Sequence, residues 1–218
     1  MQNFWHKYGH SQYANYDALL TQPAWDSLVR HPAVLPAIEA LMGHSLICIG
    51  EIGLRSMPPW DQPFHQQWHR DKAHADDHPL RLDYLQMMVY LSDVDESTHC
   101  ISFSPEHVAE QVIRDPEQQR AARGEYDLHG RAGTVALFNS SALHTATTRT
   151  TAATRKTVQV YYGHLDKPFL ANDSVLPPIF WRDSEDAATR SFYGNLNDRT
   201  RTFMKAFPGT APRRGARL

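Results

Sequence analysis

The sequence contains few cysteines. Only Cys48 and Cys100 occur among its 218 residues, and they do not form a CxxC motif. A disulfide framework and a zinc site built on cysteines are therefore excluded. We expect a reducing compartment, with the cytoplasm as the predicted location, because stable disulfides are a feature of oxidising compartments.

Long hydrophobic runs and an excess of one charge are also missing. No apolar stretch approaches the roughly 18 residues that a membrane helix requires, and the opening MQNFWHKYGH contains no apolar segment typical of a secretory signal. Lysine and arginine total 22 against 24 aspartates and glutamates, which gives a net charge of −2. We therefore expect neither a membrane nor a nucleic acid as a partner, and the oligomeric state stays open.

The length suits one domain, residues 1–218. Short apolar or alternating segments predict strands at 84–91, 99–103, 134–139, 142–147 and 156–162. A charge-rich segment, 105–125, is predicted as a surface helix between strands. We predict a mainly β fold with flanking helices: a helical N-terminal cover over 1–45, a jelly-roll core over about 46–165 and an irregular or helical C-terminal extension over 166–218.

Histidine is abundant, with 13 residues, and one histidine has the spacing of a metal ligand. His69 and Asp71 lie in the motif WHRD, and residues two apart on an extended backbone point to the same face. A third ligand from a distant strand would complete a triad of two histidines and one carboxylate, which non-haem Fe(II) oxygenases use. The histidines that could supply it are His129, His144 and His164.

A second pair has the same spacing. His74 and Asp76 lack the preceding tryptophan, so we rank this pair below the first. We expect His65, His74 and His78 to lie on a loop over the entrance to the site, and most of them to be exposed to solvent.

An arginine lies shortly after His144, one of the three candidate histidines. Arg155 lies 11 residues after His144, where the predicted strand 156–162 begins. A guanidinium at this position could hold a carboxylate through two parallel hydrogen bonds. Arg55, on an earlier strand, could also reach the site, but a position at the surface is favoured.

The order of these motifs resembles a known family. WHRD, a strand, the polar turn LSDVDES, the segment GTVALFNSSALH and an arginine 11 residues later follow one another. Over about residues 35–165 this pattern resembles the phytanoyl-CoA dioxygenase family of Fe(II)/2-oxoglutarate-dependent oxygenases. The resemblance implies a double-stranded β-helix, which is a cupin-like jelly roll, and it implies Fe(II), 2-oxoglutarate and O2 as cofactors.

The same resemblance assigns roles to residues. His69, Asp71 and His144 would be the catalytic residues that bind iron. Related halogenases have a small residue in place of the carboxylate, so the presence of Asp71 favours oxygen transfer over halogenation.

The resemblance also indicates how 2-oxoglutarate would be held. Arg155 would bind its distal carboxylate, and Gln86 and Met88 would line the cosubstrate side. Ala146 departs from the small hydroxyl residue that the family often has at this position, and either neighbouring threonine could compensate for the missing hydroxyl.

The implied reaction is hydroxylation of a C–H bond of a small organic substrate, with release of succinate and CO2. The alternative is a non-oxidative, cupin-like metalloprotein, such as an isomerase or a ligand binder. Arg155 discriminates between them, because only a cosubstrate carboxylate needs a fixed cation beside the metal. An oxygenase acting on proteins ranks lower, because the sequence contains no visible recognition module.

Overall fold

A computed structural model describes residues 5–8, 12–43, 47–63, 67–78 and 80–207. The strands within these ranges are β1 (His6–Tyr8), β2 (Gln12–Asn15), β3 (Ile47–Met57), β4 (Tyr84–Tyr90), β5 (Cys100–Ser104), β6 (Tyr126–Leu128), β7 (Val135–Asn139), β8 (Leu143–Thr147) and β9 (Arg155–His164). The helices are α1 (Ala18–Thr21), α2 (Asp26–Val29), α3 (Leu35–Leu41), α4 (Pro116–Arg123), α5 (Pro178–Trp181), α6 (Ala187–Gly194) and α7 (Asp198–Ala206), with a 3-10 turn at Pro23–Trp25. No helix in these ranges combines the length and apolar character needed to cross a membrane.

The strands form two antiparallel sheets that face each other. The major sheet has the order β1-β2-β3-β9-β4-β7, and the minor sheet has the order β6-β5-β8. Side chains of β4 and β5 meet between the sheets, where Met88 and Tyr90 contact Ile101 and Phe103 in one apolar cluster. The predicted double-stranded β-helix with flanking helices is therefore confirmed.

The central strand β4 is buried on both faces, as its mixed sequence pattern predicted. Leu85, Met87 and Val89 point to the outer face of the major sheet and belong to the main hydrophobic core. Met88 and Tyr90 alternate with them and point towards the minor sheet. One strand therefore supports the core with one face and the interior between the sheets with the other.

Helices cover the outer face of the major sheet. Ile38 of α3, Trp181 of α5 and Tyr193 of α6 join the main hydrophobic core there. The C-terminal helices start at polar caps: the Asp186 carboxylate accepts backbone N–H groups at the start of α6, and the Asn197 side chain does so for α7. This layer confines the site to the opposite, inner face.

Three parts of the fold differ from the sequence prediction. The predicted helical cover over 1–45 also contains the strands β1 and β2, which extend the major sheet beyond β3. The predicted helix over 105–125 is limited to α4, because Asp115 caps it by accepting the Gln118 N–H and Pro116 occupies its first turn. The short strand β6 follows α4 and was not predicted.

Met87 tests the division between the two faces of β4. Its side chain is 0% exposed within the main core, so Met87→Ala should lower the free energy of unfolding by about 2–5 kcal/mol. Val108→Ala, at a site that is 76% exposed, is the control and should change it by less than about 0.5 kcal/mol. Urea unfolding followed by circular dichroism measures both, and equal losses would contradict this packing.

Candidate metal centre

Backbone pairing brings His69 and His144 together from distant parts of the chain. His69 forms an isolated antiparallel bridge with His144 of β8. Each residue donates its N–H to the carbonyl oxygen of the other, at 3.0 Å in both directions. Because residues paired in this way project to the same side of a sheet, the two imidazole centroids lie 4.4 Å apart.

Asp71 turns its carboxylate towards the same point. Its Oδ1 atom is 3.4 Å from Nε2 of His69 and 3.9 Å from Nε2 of His144. The candidate ligand atoms of the three residues all lie within 4.8 Å of one another. Two imidazoles and one carboxylate at this spacing could hold a metal ion and leave coordination positions for other ligands.

The imidazoles are oriented by hydrogen bonds on their far side. Nδ1 of His69 lies 3.0 Å from the Gln67 carbonyl oxygen, and Nδ1 of His144 lies 2.9 Å from the Ala142 carbonyl oxygen. A carbonyl can only accept, so each Nδ1 carries the proton and donates it. The Nε2 lone pairs are thereby directed at the centre, which is the arrangement expected of histidine ligands.

The electrostatic surroundings favour the ionised carboxylate of Asp71 and the neutral imidazole of His144, which are the forms that bind a metal. Burial favours the neutral form of Asp71, but the hydrogen bond from His69, the charge of His144 and the hydrogen bond from Tyr161 outweigh it, so the pKa of Asp71 is lowered. Burial also lowers the pKa of His144 and favours its neutral imidazole. The pKa of the more exposed His69 is raised, because its protonated form can donate a hydrogen bond from Nε2 to Asp71, and a metal ion would replace that proton.

A cavity of about 150 Å³ adjoins these three residues, between the two sheets. Its wall includes two residues of β4 and three of β9, together with Ala146 of β8. The β4 residues are Gln86 and Met88, and the β9 residues are Arg155, Gln159 and Tyr161. The structure therefore brings all the predicted site residues to one cavity.

Arg155 is a buried cation in this cavity. Its side chain is 3% exposed, and burial lowers its pKa. Among the described residues no carboxylate forms an ion pair with it, and its Nη1 atom is buried with no hydrogen-bond partner. An unpaired charge in this position is costly. An anionic ligand in the cavity would remove that cost, so the residues fit a carboxylate-bearing cosubstrate.

Gln86 and Met88 both face the cavity, as predicted from the family resemblance. Nε2 of Gln86 is 3.4 Å from Oε1 of Gln159, and Met88 lies beside them on the wall. Ala146 faces the cavity without a hydroxyl. The expectation that a neighbouring threonine compensates is wrong, because Thr145 and Thr147 point to the opposite face of the minor sheet, towards Gln67 and Ser102.

The second histidine–aspartate pair has a different role. His74 was expected to be exposed, but its side chain is buried, and Nε2 lies 2.8 Å from Oε1 of Glu106. Arg70 donates to the same carboxylate oxygen at 3.0 Å. Asp76 is exposed. Within the described ranges neither His74 nor Asp76 belongs to a cluster of three potential metal ligands.

The other candidate histidines lie away from the centre. His129 is near Cys100 and Asp127, where Arg149 already forms an ion pair with the aspartate. His164, at the end of β9, contacts the carbonyl oxygen of Leu82 at 3.3 Å. His78 is exposed as expected, and His65 lies outside the described residues.

Arg55 and Tyr161 are among the cavity residues that were not assigned to the site from the sequence. Arg55 was expected at the surface, but it is buried on the cavity wall, with its guanidinium 5.0 Å from the ring of Tyr16. Tyr161 donates its hydroxyl to Asp71 Oδ2 at 2.7 Å. A signal for Tyr161 was present, since it shares the strand parity of Arg155.

A family model described as Phytanoyl-CoA dioxygenase (PhyH) matches residues 6–157, which is more than two thirds of the chain. The chain belongs to the phytanoyl-CoA dioxygenase family. Fe(II), 2-oxoglutarate and O2, the cofactors that the sequence predicted, are those of this family. No curated protein sequence matches the chain.

Several solved structures are similar to this member of the phytanoyl-CoA dioxygenase family. SnoN, a non-heme alpha ketoglutarate dependent epimerase from nogalamycin biosynthesis, matches at 17% identity and a TM-score of 0.58, over 74% of this chain and 66% of that chain. EctD from S. alaskensis with bound Fe matches at 22% identity and a TM-score of 0.57, over 81% of this chain and 66% of that chain. HygX from Streptomyces hygroscopicus with nickel, 2-oxoglutarate and hygromycin B matches at 14% identity and a TM-score of 0.60, over 88% of this chain and 82% of that chain. The chain spans about two thirds of the length of the first two, and the similarity shows a shared fold.

A buried acid lies close to this cavity on the inner face of the major sheet. Glu51 of β3 is 3% exposed and is paired with Tyr161 of β9. Its Oε2 atom accepts the Asp173 N–H at 3.1 Å. Burial raises the pKa of Glu51 to about 7.

The raised pKa predicts a pH-dependent effect of Glu51→Gln. The folded state binds the Glu51 proton more tightly than the unfolded state, so this residue destabilises the wild type increasingly as pH rises from about 4.5, its ordinary value, towards 7. Glu51→Gln should therefore raise the free energy of unfolding by about 3 kcal/mol at pH 8, and by less as pH falls towards 5. Urea unfolding at several pH values measures this, and a pH-independent effect would contradict it. Exposed Glu96→Gln is the control.

Proposed function

We propose that this protein is an Fe(II)- and 2-oxoglutarate-dependent hydroxylase acting on a small organic substrate. The observation that carries the proposal is the position of Arg155, a buried cation that forms no ion pair with a carboxylate among the described residues, on the same cavity as the His69–Asp71–His144 cluster. Family membership supports the metal and the cosubstrate. The proposal treats residues 1–218 as one domain with its catalytic core in about 46–165.

His69, Asp71 and His144 would hold the iron through two Nε2 atoms and one carboxylate oxygen. When bound, the iron with 2-oxoglutarate and O2 supplies the oxidising chemistry that releases succinate and CO2 and hydroxylates a C–H bond. The protein's residues orient these components and keep water away from them. Asp71 favours hydroxylation over halogenation, because it occupies the position that a halide would need.

Arg155 would bind the distal carboxylate of 2-oxoglutarate through two parallel N–H groups of its guanidinium. Gln86 and Met88 would line the cosubstrate on the β4 side of the cavity. Since Ala146 contributes no hydroxyl and the adjacent threonines face away, Arg155 carries more of this interaction than the family pattern implies. Arg55 adds a second guanidinium to the wall.

The type of reaction at the substrate needs a separate argument. SnoN is an epimerase, and another similar structure, SnoK, is a carbocyclase, so the shared fold is compatible with more than one outcome. We propose hydroxylation because the triad retains its carboxylate, Asp71. A cytoplasmic location and a small-molecule substrate stay predictions. A non-oxidative metalloprotein is the alternative, and it would be favoured if the protein binds a metal but not 2-oxoglutarate.

The metal centre is tested by removing its ligands one at a time. His69→Ala, Asp71→Ala and His144→Ala should each reduce Fe(II)-dependent succinate formation to background, because each removes one of three proposed ligands. Succinate is measured by mass spectrometry after incubation with 2-oxoglutarate and O2. The exposed residues His78 and Asp76 provide matched controls, and His78→Ala and Asp76→Ala should retain wild-type turnover. Full turnover in a ligand variant would exclude that residue.

Arg155 is tested by the affinity for 2-oxoglutarate. Hydrogen bonds to a charged group contribute roughly 1.5–3 kcal/mol, so Arg155→Ala should weaken 2-oxoglutarate binding by about 10- to 100-fold. Fe(II) affinity should stay nearly unchanged, and Arg155→Lys should lie between, because lysine offers a point charge. Anaerobic titration of Fe(II) protein with 2-oxoglutarate, followed by its visible charge-transfer band, measures both. Unchanged affinity in folded Arg155→Ala would remove the cosubstrate from the proposal.

A further inference from the structure

Tyr161 makes the single hydrogen bond that the structure describes to the side chain of Asp71 apart from its histidine contacts. The phenol donates to Oδ2 at 2.7 Å, whereas Oδ1 faces Nε2 of His69 and of His144 at 3.4 and 3.9 Å. The two carboxylate oxygens therefore have different surroundings. We infer that Tyr161 is a positioning residue, which orients Asp71 so that Oδ1 is the oxygen presented to a metal ion. This inference rests on the proposed function.

The position of Tyr161 is itself fixed by the major sheet. Its strand, β9, lies between β3 and β4, and Tyr161 is paired with Glu51 on one side and with Gln86 on the other. Its ring forms part of the cavity wall. Because the backbone is hydrogen-bonded into the sheet on both sides, the phenol oxygen is a fixed point against which a mobile side chain can be aligned.

Asp71 needs such a fixed point, because its own segment is irregular. It lies in a bend that follows the His69–His144 bridge. The backbone is anchored next to it, where the Lys72 N–H donates to the Ser140 carbonyl oxygen at 3.0 Å. This anchor leaves the aspartate side chain free to rotate about two bonds. A donor on Oδ2 removes that freedom, and such second contacts to metal ligands commonly change metal affinity by about 10- to 100-fold.

The phenol also suits the chemistry of a ligand carboxylate. It donates one hydrogen bond and carries no charge, so it does not compete with a cation for the aspartate as a lysine or arginine would. With Oδ2 engaged by Tyr161, Oδ1 remains on the side of the two Nε2 atoms. The three candidate ligands are therefore preorganised for metal binding.

The experiment compares two tyrosines that are adjacent on β9. Tyr161→Phe removes the hydroxyl without changing the shape of the ring, and Ni(II) affinity of the metal-free protein is measured by calorimetry with Ni(II) alone. We expect affinity to fall by about 10- to 100-fold. Tyr162→Phe is the matched control, because its hydroxyl donates to the Val29 carbonyl oxygen at 2.7 Å inside the main core. It should bind Ni(II) with wild-type affinity.

A double-mutant cycle shows whether Tyr161 acts through Asp71. Ni(II) binds nitrogen ligands strongly among divalent metals, so binding to the two histidines should remain measurable in Asp71→Ala. Adding Tyr161→Phe to Asp71→Ala should cause no further loss, because the carboxylate that the phenol orients is already absent. A tyrosine that merely supported the fold would weaken binding equally in both backgrounds.

The outcomes separate this inference from the proposed function. Wild-type Ni(II) affinity in Tyr161→Phe, equal losses in Tyr161→Phe and Tyr162→Phe, or a further loss in the Asp71→Ala background would each overturn the positioning role. If the wild type binds Ni(II) and the ligand variants lose it, the proposed metal site survives that result. A wild-type protein that binds no Ni(II) would overturn both.

Discussion

The candidate site depends on one backbone pairing, between His69 and His144. Two hydrogen bonds of 3.0 Å add the segment that contains WHRD to the edge of β8. They place the two imidazoles side by side and start the bend in which Asp71 lies. The contact between Lys72 and Ser140 prolongs this attachment. Without the pairing, the histidine–aspartate pair would be a polar loop on the surface, and the cavity would lack the wall formed by His69 and Asp71.

Arg70 lies between the proposed ligands His69 and Asp71, and its side chain holds the same segment in place through hydrogen bonds on the side away from the cavity. Arg70 donates to Glu106 at 3.0 Å and to the Ile113 carbonyl oxygen at 3.3 Å, and it also contacts Gln119 of α4. His74 shares the Glu106 carboxylate. Since these groups are largely buried, their mutual hydrogen bonds offset the cost of burial. The helical insert, which the sequence presented as a surface feature, thus supports the metal centre.

The major sheet separates stability from chemistry by strand parity. On β9, Val158, Val160 and Tyr162 point into the main core, whereas Arg155 and Tyr161 point into the cavity. Apolar burial on the outer face supplies most of the stabilisation. The inner face can therefore retain a buried guanidinium whose Nη1 atom has no hydrogen-bond partner in the described structure. Such local costs are typical of sites built for a charged ligand.

Local pattern in the sequence determined the strands of the core and the two-sided burial of β4, because side-chain alternation along a strand depends only on neighbouring residues. The convergence of His69 and Asp71 depends on the bridge to His144. The family resemblance added His144 and Arg155. Only the tertiary structure decided that His74 belongs to an ion network, that Arg55 is buried, that β1 and β2 extend the sheet and that Tyr161 contacts Asp71. Each of these depends on which distant strands pair and in which register, and a one-residue shift would turn every side chain of a strand to the other face.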